Sequence, residues 1–201
     1  IDAPPPQPGF REAMLSYFDE SNRLHLDVLR CLALGLGLNE QYFTPLCDER
    51  FCTLRLLHYP AVERARLSAT GQKRAGAHTD LGSITLLQQF DDRGGLYACS
   101  REGEWRFVHP VAGGIVVNVG DLLMRWSNDV LRSTPHCVID DPRLGAAATQ
   151  PARYSMAFFC NPNKQALVEA LPGCVSPERP GRYPPVRAVD YLESRLREYG
   201  L

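Results

Sequence analysis

The sequence predicts a mainly β protein, a β-sandwich or jelly roll braced by a long N-terminal helix and a C-terminal helix. Three observations carry that prediction. Short strand-like runs recur at intervals of about ten residues, turn residues separate them, and helical periodicity is confined to the two ends.

Residues 1–9 form a Pro-rich lead-in unsuited to helix. From there Phe10, Met14, Tyr17, Ser21, Leu24, Val28 and Leu32 recur at spacings of three and four. Glu12, Asp19, Glu20, Arg23 and Arg30 fall mostly off that stripe. The pattern predicts an amphipathic helix of about six turns, closed by Gly35 and Gly37. His25 lies on or beside the stripe and reads as structural. Asn39 predicts the N-cap of a short helix over Glu40–Phe43.

The strands come next. Cys52–Tyr59 is Leu-rich and closes on Pro60; Ser83–Phe90 contains Ile84-Thr85-Leu86-Leu87. Asp91-Asp92-Arg93-Gly94-Gly95 reads as a turn into Leu96–Cys99, and Glu102-Gly103-Glu104 as a second turn into Trp105–Val108. Gly114–Val119 is a largely apolar run that reads as a buried strand. Asn128-Asp129 has hairpin chemistry, since both residues tolerate positive φ. His136–Ile139 and Arg153–Cys160 are the last strands, joined by a loop through Pro142, Gly145 and several alanines. Val189, Leu192, Leu196 and Tyr199 predict the terminal helix.

With 201 residues and neither a repeat nor a linker, the chain reads as one domain over 1–201. A chain of this size buries about 70% of its unfolded surface, so it needs no disulfide staples. The net charge of -1 and pI near 6.6 offer no attraction for nucleic acid or anionic lipid. No apolar run approaches the roughly 20 residues of a membrane span. Seven cysteines without a C-x-x-C pair, and no visible leader, predict reduced thiols and a cytoplasmic location. The chain begins Ile1-Asp2-Ala3 without Met, so a targeting signal upstream would not be visible. Oligomeric state has no signature here.

The chemistry concentrates in His78-Thr79-Asp80, His136 and Arg153-Tyr154-Ser155. On a strand, residues i and i+2 share a face, so His78 and Asp80 point together while Thr79 points elsewhere. With His136 from a strand distant in sequence they form a facial triad, which leaves other positions on a metal open and suits non-haem Fe(II) and O2. Zn2+ accepts the same donors, and the triad alone does not choose between the two. A lone His-x-Asp pair is more often a turn cap; His136 in a strand context raises this one above that reading. His58 and His109 have no comparable setting.

Arg153 and Ser155 are another i, i+2 pair. A guanidinium fork and a hydroxyl converging on one point match a carboxylate. An inward-facing arginine there needs an anionic partner, whereas an edge-strand arginine would pair with a neighbour. The same alternation turns Ala157 and Phe159 inward, so Phe159 is either a wall of the substrate pocket or ordinary core. Trp126 and Phe90 hint at an apolar or aromatic substrate, though aromatics are common in cores. No basic groove or stacking platform points to a macromolecule, so a small molecule is the expected partner.

The stretch Arg74–Leu87 resembles the first metal motif of the isopenicillin N synthase-like Fe(II)/2-oxoglutarate dioxygenases. The similarity continues through Gly94-Gly95-Leu96, Val117–Asp121, Trp126-Ser127-Asn128, Leu131–His136 and Arg153-Tyr154-Ser155, and spans about Phe10 to Leu201. The resemblance implies a double-stranded β-helix of jelly-roll, cupin-like type. It implies that His78, Asp80 and His136 hold Fe(II), and that Arg153 and Ser155 bind the distal carboxylate of 2-oxoglutarate. The family's Arg-x-Asn-x-Tyr-Pro strand is matched by Arg55–Pro60, which implies a 2-oxoglutarate contact for Tyr59; Leu57 stands where the family has asparagine. Members carry a further segment before the long helix that supplies part of the pocket wall, and the stretch read here starts after it.

The resemblance thus implies an oxygenase that consumes 2-oxoglutarate and O2, releases succinate and CO2, and oxidises a C–H bond of a small metabolite by hydroxylation, desaturation or ring closure. Two alternatives stand beside it. One is a same-fold Fe(II) oxidase that does not consume 2-oxoglutarate; the other is a silent jelly-roll binding module.

Overall fold

The computed structural model describes residues 7–70, 73–90, 95–139, 149–198 and 200. Helix α1, Phe10–Gly35, leads into a one-turn α2, Thr44–Cys47. Strands β1 (Thr53–Tyr59) and β2 (Val62–Glu63) follow, then α3 (Arg64–Thr70), β3 (Ala75–His78), β4 (Ile84–Gln89), β5 (Leu96–Cys99) and β6 (Trp105–Phe107). The second half runs β7 (Ile115–Val119), α4 (Asp121–Trp126), β8 (His136–Val138), β9 (Thr149–Gln150), β10 (Arg153–Cys160) and β11 (Leu167–Val168). It ends with β12 (Val186–Arg187) and α5 (Ala188–Glu198).

Two antiparallel four-stranded sheets form the body, in the orders β1-β10-β4-β7 and β3-β8-β5-β6. Strand alternation divides the first sheet between two jobs. Leu86, Phe158 and Cys160 point outward into the main core. There they join Leu29 and Ala33 of α1, Leu122 and Leu123 of α4, and Ala188 and Leu192 of α5. Phe18 meets Phe158 edge-on at 4.9 Å between ring centroids. Thr85, Leu87, Ser155 and Ala157 point the other way, into a cavity between the sheets. Because α1 and α5 cover only the outer face, the inner face stays available for chemistry. The architecture is the jelly roll with a helix at each end that the sequence predicts.

Several expectations are corrected in detail. The buried face of α1 centres on Ser21, Asn22, His25, Leu29 and Ala33, about one residue on from the Leu24/Val28/Leu32 stripe. Ser21 belongs to both sets; the offset begins at the buried polar residues Asn22 and His25, which an apolar periodicity passes over. His25 is structural, as read: it is fully buried, and its Nε2 lies 3.0 Å from Ser83 Oγ, tying α1 to the start of β4. The short helix is Thr44–Cys47 and not Glu40–Phe43; Asn39 Oδ1 accepts from the Gln41 amide in the preceding turn. β7 is an edge strand with Ile115 and Val117 exposed, where a buried strand was expected. Asn128 and Asp129 do take positive φ, 48° and 68°, but they end helix α4 and form no hairpin. Tyr199, the turn residues 91–94 and residues 140–148 of the loop before β9 lie outside the described residues.

Candidate active site

His78 and His136 are direct cross-strand partners on β3 and β8, at a point where the ladder shifts register. Their rings lie 4.4 Å apart between centroids. Each Nδ1 is held by a main-chain carbonyl two residues back: His78 by Gly76 at 2.8 Å, His136 by Thr134 at 3.1 Å. A carbonyl only accepts, so each Nδ1 carries a proton, and it is Nε2 whose lone pair is available to a cation.

Asp80 supplies the third donor. It lies two residues past His78, beyond the end of β3, so the expected single strand carrying both residues is corrected to a strand end and the loop after it. That loop is seated on the start of α4. The Asp121 amide donates to the Asp80 carbonyl at 2.7 Å, and the Leu122 amide to Leu81 and Gly82 at 3.2 and 3.1 Å. The otherwise unsatisfied amides of a helix N-terminus therefore fix the loop backbone. Two separate close approaches in this region require glycine. A Cβ on Gly120 would sit 2.3 Å from the Gly82 carbonyl oxygen, and one on Gly82 2.1 Å from that of Cys160. The Asp121 carboxylate accepts from Thr79 Oγ1 at 3.3 Å and from the Tyr191 hydroxyl at 3.0 Å, which links α5 to the same loop.

One donor atom each from His78, Asp80 and His136 lies within 4.8 Å of the others, and Asp80 Oδ1 is 3.8 Å from His136 Nε2. Asp80 is buried, whereas His78 is open to solvent. Two imidazoles and one carboxylate could hold a divalent ion, and the exposed side leaves room for further ligands.

The other end of the cavity is cationic. Arg153 and Ser155 on β10 are each only 2% exposed. The Arg153 guanidinium donates to Gln89 Oε1 at 2.9 Å and lies 5.2 Å from the centre of the Tyr59 ring. The Ser155 hydroxyl is buried with no hydrogen-bond partner among the described residues. A buried donor is costly to leave unmet, and a carboxylate placed against Arg153 would satisfy it. The residues therefore fit both an Fe(II) ion and a dicarboxylic cosubstrate.

All seven residues singled out from sequence line this one cavity of about 230 Å³: His78, Asp80, His136, Arg153, Ser155, Tyr59 and Phe159. Leu57 lies opposite Ser155 and gives the wall an apolar patch. Trp126 sits in the core and Phe90 on the surface, and neither lines the cavity. Sequence reasoning assigned no role to Asn118, Gln89 or Arg55. Asn118 is a polar interruption of an apolar strand run, and that signal could have found it.

The profile of the 2OG-Fe(II) oxygenase superfamily matches residues 50–162, and the chain belongs to that superfamily. The chain is 40% identical over 194 residues to the proline hydroxylase buaE of Petromyces alliaceus, covering 94% of this chain and 60% of that protein. A full-length Neurospora crassa protein, solved in complex with alpha-KG and thymine, superposes with a TM-score of 0.90 at 44% identity, covering 96% of this chain and 57% of its own. A 2OG-Fe(II) oxygenase family protein from Caulobacter crescentus gives a TM-score of 0.82 at 34% identity, covering 99% of this chain and 67% of its own. Against the first two curated relatives, this chain spans 60% and 53% of their length. Fe(II) and 2-oxoglutarate, named by the family, are the groups that the two ends of the cavity fit.

Proposed function

We propose that this chain is the catalytic domain of an Fe(II)- and 2-oxoglutarate-dependent oxygenase of the isopenicillin N synthase-like kind, acting on a small organic metabolite. The observation that carries the reading is the arrangement of one cavity, with a three-donor metal cluster at one end and a buried Arg–Ser pair at the other. His78, Asp80 and His136 are the Fe(II) ligands. Arg153 and Ser155 take the distal carboxylate of 2-oxoglutarate, and Tyr59 fixes the guanidinium by lying against it.

Fe(II), when bound with 2-oxoglutarate and O2, supplies the oxidising power, and succinate and CO2 are the by-products. The chain's residues bind, orient and exclude water. The two main-chain carbonyls hold the imidazoles in the tautomer that leaves Nε2 free. Leu57, Leu87 and Val116 keep the cavity wall apolar between its polar ends. No side chain is required as a general base. The substrate is a small molecule, supported by the cavity's size and by the thymine complex of the Neurospora crassa relative. Seven free thiols support a cytoplasmic setting. Among the described residues no helix is long and apolar enough to cross a membrane.

The test is succinate formation from 2-oxoglutarate in the presence of Fe(II) and O2. Production that depends on Fe(II) and is lost in His78→Ala supports the reading; O2 uptake without succinate would indicate the oxidase that spares 2-oxoglutarate.

A further inference from the structure

The cavity holds a second cation that the reaction as described does not use. Arg55 lies on β1 with its side chain on the same face as Leu57 and Tyr59; it lines the cavity and is exposed to solvent. Its guanidinium carbon is 5.5 Å from the centre of the Phe159 ring. Among the described residues Arg55 makes no ion pair and no hydrogen bond, so the aromatic ring is its one partner there. Stacking uses the flat face of a guanidinium and leaves its in-plane N–H fork free to bind an oxygen acceptor.

2-Oxoglutarate held at Arg153 is anchored well away from it along the strand. The cross-strand pairs Tyr59–Arg153 and Arg55–Ala157 place Arg55 four residues along the strand from the Arg153 end. At about 3.3 Å per residue that is roughly 13 Å of backbone. The terminal carbons of a five-carbon diacid lie on the order of 5–6 Å apart, given C–C bonds near 1.5 Å. Both carboxylates of 2-oxoglutarate are also already assigned, one to Arg153 and Ser155 and one to the metal end. Arg55 is exposed at the cavity lining, so its free fork is open to a second ligand that enters beside the cosubstrate.

We infer that Arg55, held flat on Phe159, is the anchor for the prime substrate, and that this substrate is a small planar molecule presenting a carboxylate or ring-carbonyl oxygen to the guanidinium fork. The inference rests on the oxygenase reading above and adds the substrate class to it. Phe159 acts as a positioning residue and as the flat wall beside the substrate. Leu57, between the two arginines, and Ala157, opposite Arg55, supply the apolar floor that a planar body would cover.

The experiment uses the full-length protein loaded anaerobically with Fe(II) and 2-oxoglutarate, with calorimetric titration of thymine, benzoate and benzylamine. Thymine offers ring carbonyls, benzoate a carboxylate and benzylamine a cation of similar size. Binding of thymine or benzoate but not benzylamine is expected, and whichever binds identifies the acceptor. Arg55→Ala should weaken that binding at least about tenfold, with Arg55→Lys in between, because hydrogen bonds to a charged group carry effects of that size. The affinity for 2-oxoglutarate, read separately, should stay within about twofold in both variants; it also reports that the variants are folded. Equal probe binding in wild type and Arg55→Ala, or no binding of thymine or benzoate to the loaded wild type, overturns the inference and leaves the oxygenase reading standing. A loss of 2-oxoglutarate affinity in Arg55→Ala as large as that in Arg153→Lys would also overturn it, by assigning Arg55 to the cosubstrate. Failure of the wild type to bind 2-oxoglutarate at all removes the oxygenase reading first, and this inference with it.

Discussion

Asn118 Nδ2 donates to Asp80 Oδ2 at 2.7 Å, while Oδ1 of the same carboxylate faces His136 Nε2 at 3.8 Å. One oxygen is tied to the protein and the other turned to the metal cluster. A carboxylate held this way binds through one oxygen and leaves more of the ion open. Partners that orient a metal ligand typically carry ten- to hundredfold in metal affinity. Asn118→Ala is therefore expected to weaken Mn(II), a redox-inert stand-in for Fe(II), by about that factor in a calorimetric titration. An unchanged affinity would show that Asp80 needs no such support.

The opposite end of the cavity makes a separate prediction. Arg153 is buried, donates to Gln89 and faces Tyr59, so its fork has a fixed direction. A lysine there keeps the charge and loses the bidentate geometry. Arg153→Lys should raise the dissociation constant for 2-oxoglutarate by about ten- to hundredfold. Metal affinity should not change. If the two affinities fell together, the substitution would have disturbed the fold and not the subsite.

The Gly82–Gly120 contact predicts a stability effect close to the chemistry. Alanine at Gly120 would place a methyl carbon 2.3 Å from a backbone oxygen, which cannot give way as a flexible side chain would. Gly120→Ala should cost about 3 kcal/mol of stability, at the upper end for overpacking. It should also loosen the metal site, because the Asp121 amide that holds the Asp80 carbonyl follows immediately. Chemical denaturation and Mn(II) titration of the one variant check both effects; wild-type stability would contradict the close approach.

Tyr191 connects α5 to the metal loop through Asp121 and gives a pH dependence. Burial pushes its phenol above the ordinary value of 10.0, and the Asp121 carboxylate pushes it the same way. A group with a raised pKa in the folded state contributes stability fully below its unfolded value and loses it as pH rises through the folded value. The melting temperature of the wild type should therefore drop more steeply above about pH 10 than that of Tyr191→Phe. At pH 7 the variant should be less stable by about 1 kcal/mol, the usual worth of one hydrogen bond. Parallel profiles would remove Tyr191 from the network.

The legible parts of the fold were those where polarity and geometry agree. β10 and β4 alternate between an apolar outer face and a cavity face, so their limits were readable within a residue. The three candidate metal donors and the Arg153/Ser155 pair were readable because their residue types and spacing stand out, although Asp80 lies in the loop after β3 and not on the strand. Where polar residues are buried the reading slipped: Ser21 was placed on the stripe, but Asn22 and His25 share the buried face of α1, and the stripe through Leu24, Val28 and Leu32 placed that face about one position early. β7 misled in the opposite sense. Four of its five residues are apolar, yet Ile115 and Val117 are exposed on a sheet edge, and edge position is a property of topology that composition does not carry. Asn118 and Arg55 went unassigned because their roles depend on what another element places opposite them. Asn118 matters through a carboxylate 38 positions away in sequence, and Arg55 through the ring of Phe159.

The most direct test of the central claim is anaerobic addition of Fe(II) and then 2-oxoglutarate to the purified protein, followed by visible absorption. The combined site predicts a weak metal-to-ligand charge-transfer band that needs both additions, vanishes in Asp80→Ala and requires more 2-oxoglutarate in Arg153→Lys. Fe(II) binding with no band at any 2-oxoglutarate concentration would contradict the assignment of the Arg153 end to the cosubstrate, and failure to bind Fe(II) would contradict the metal centre itself.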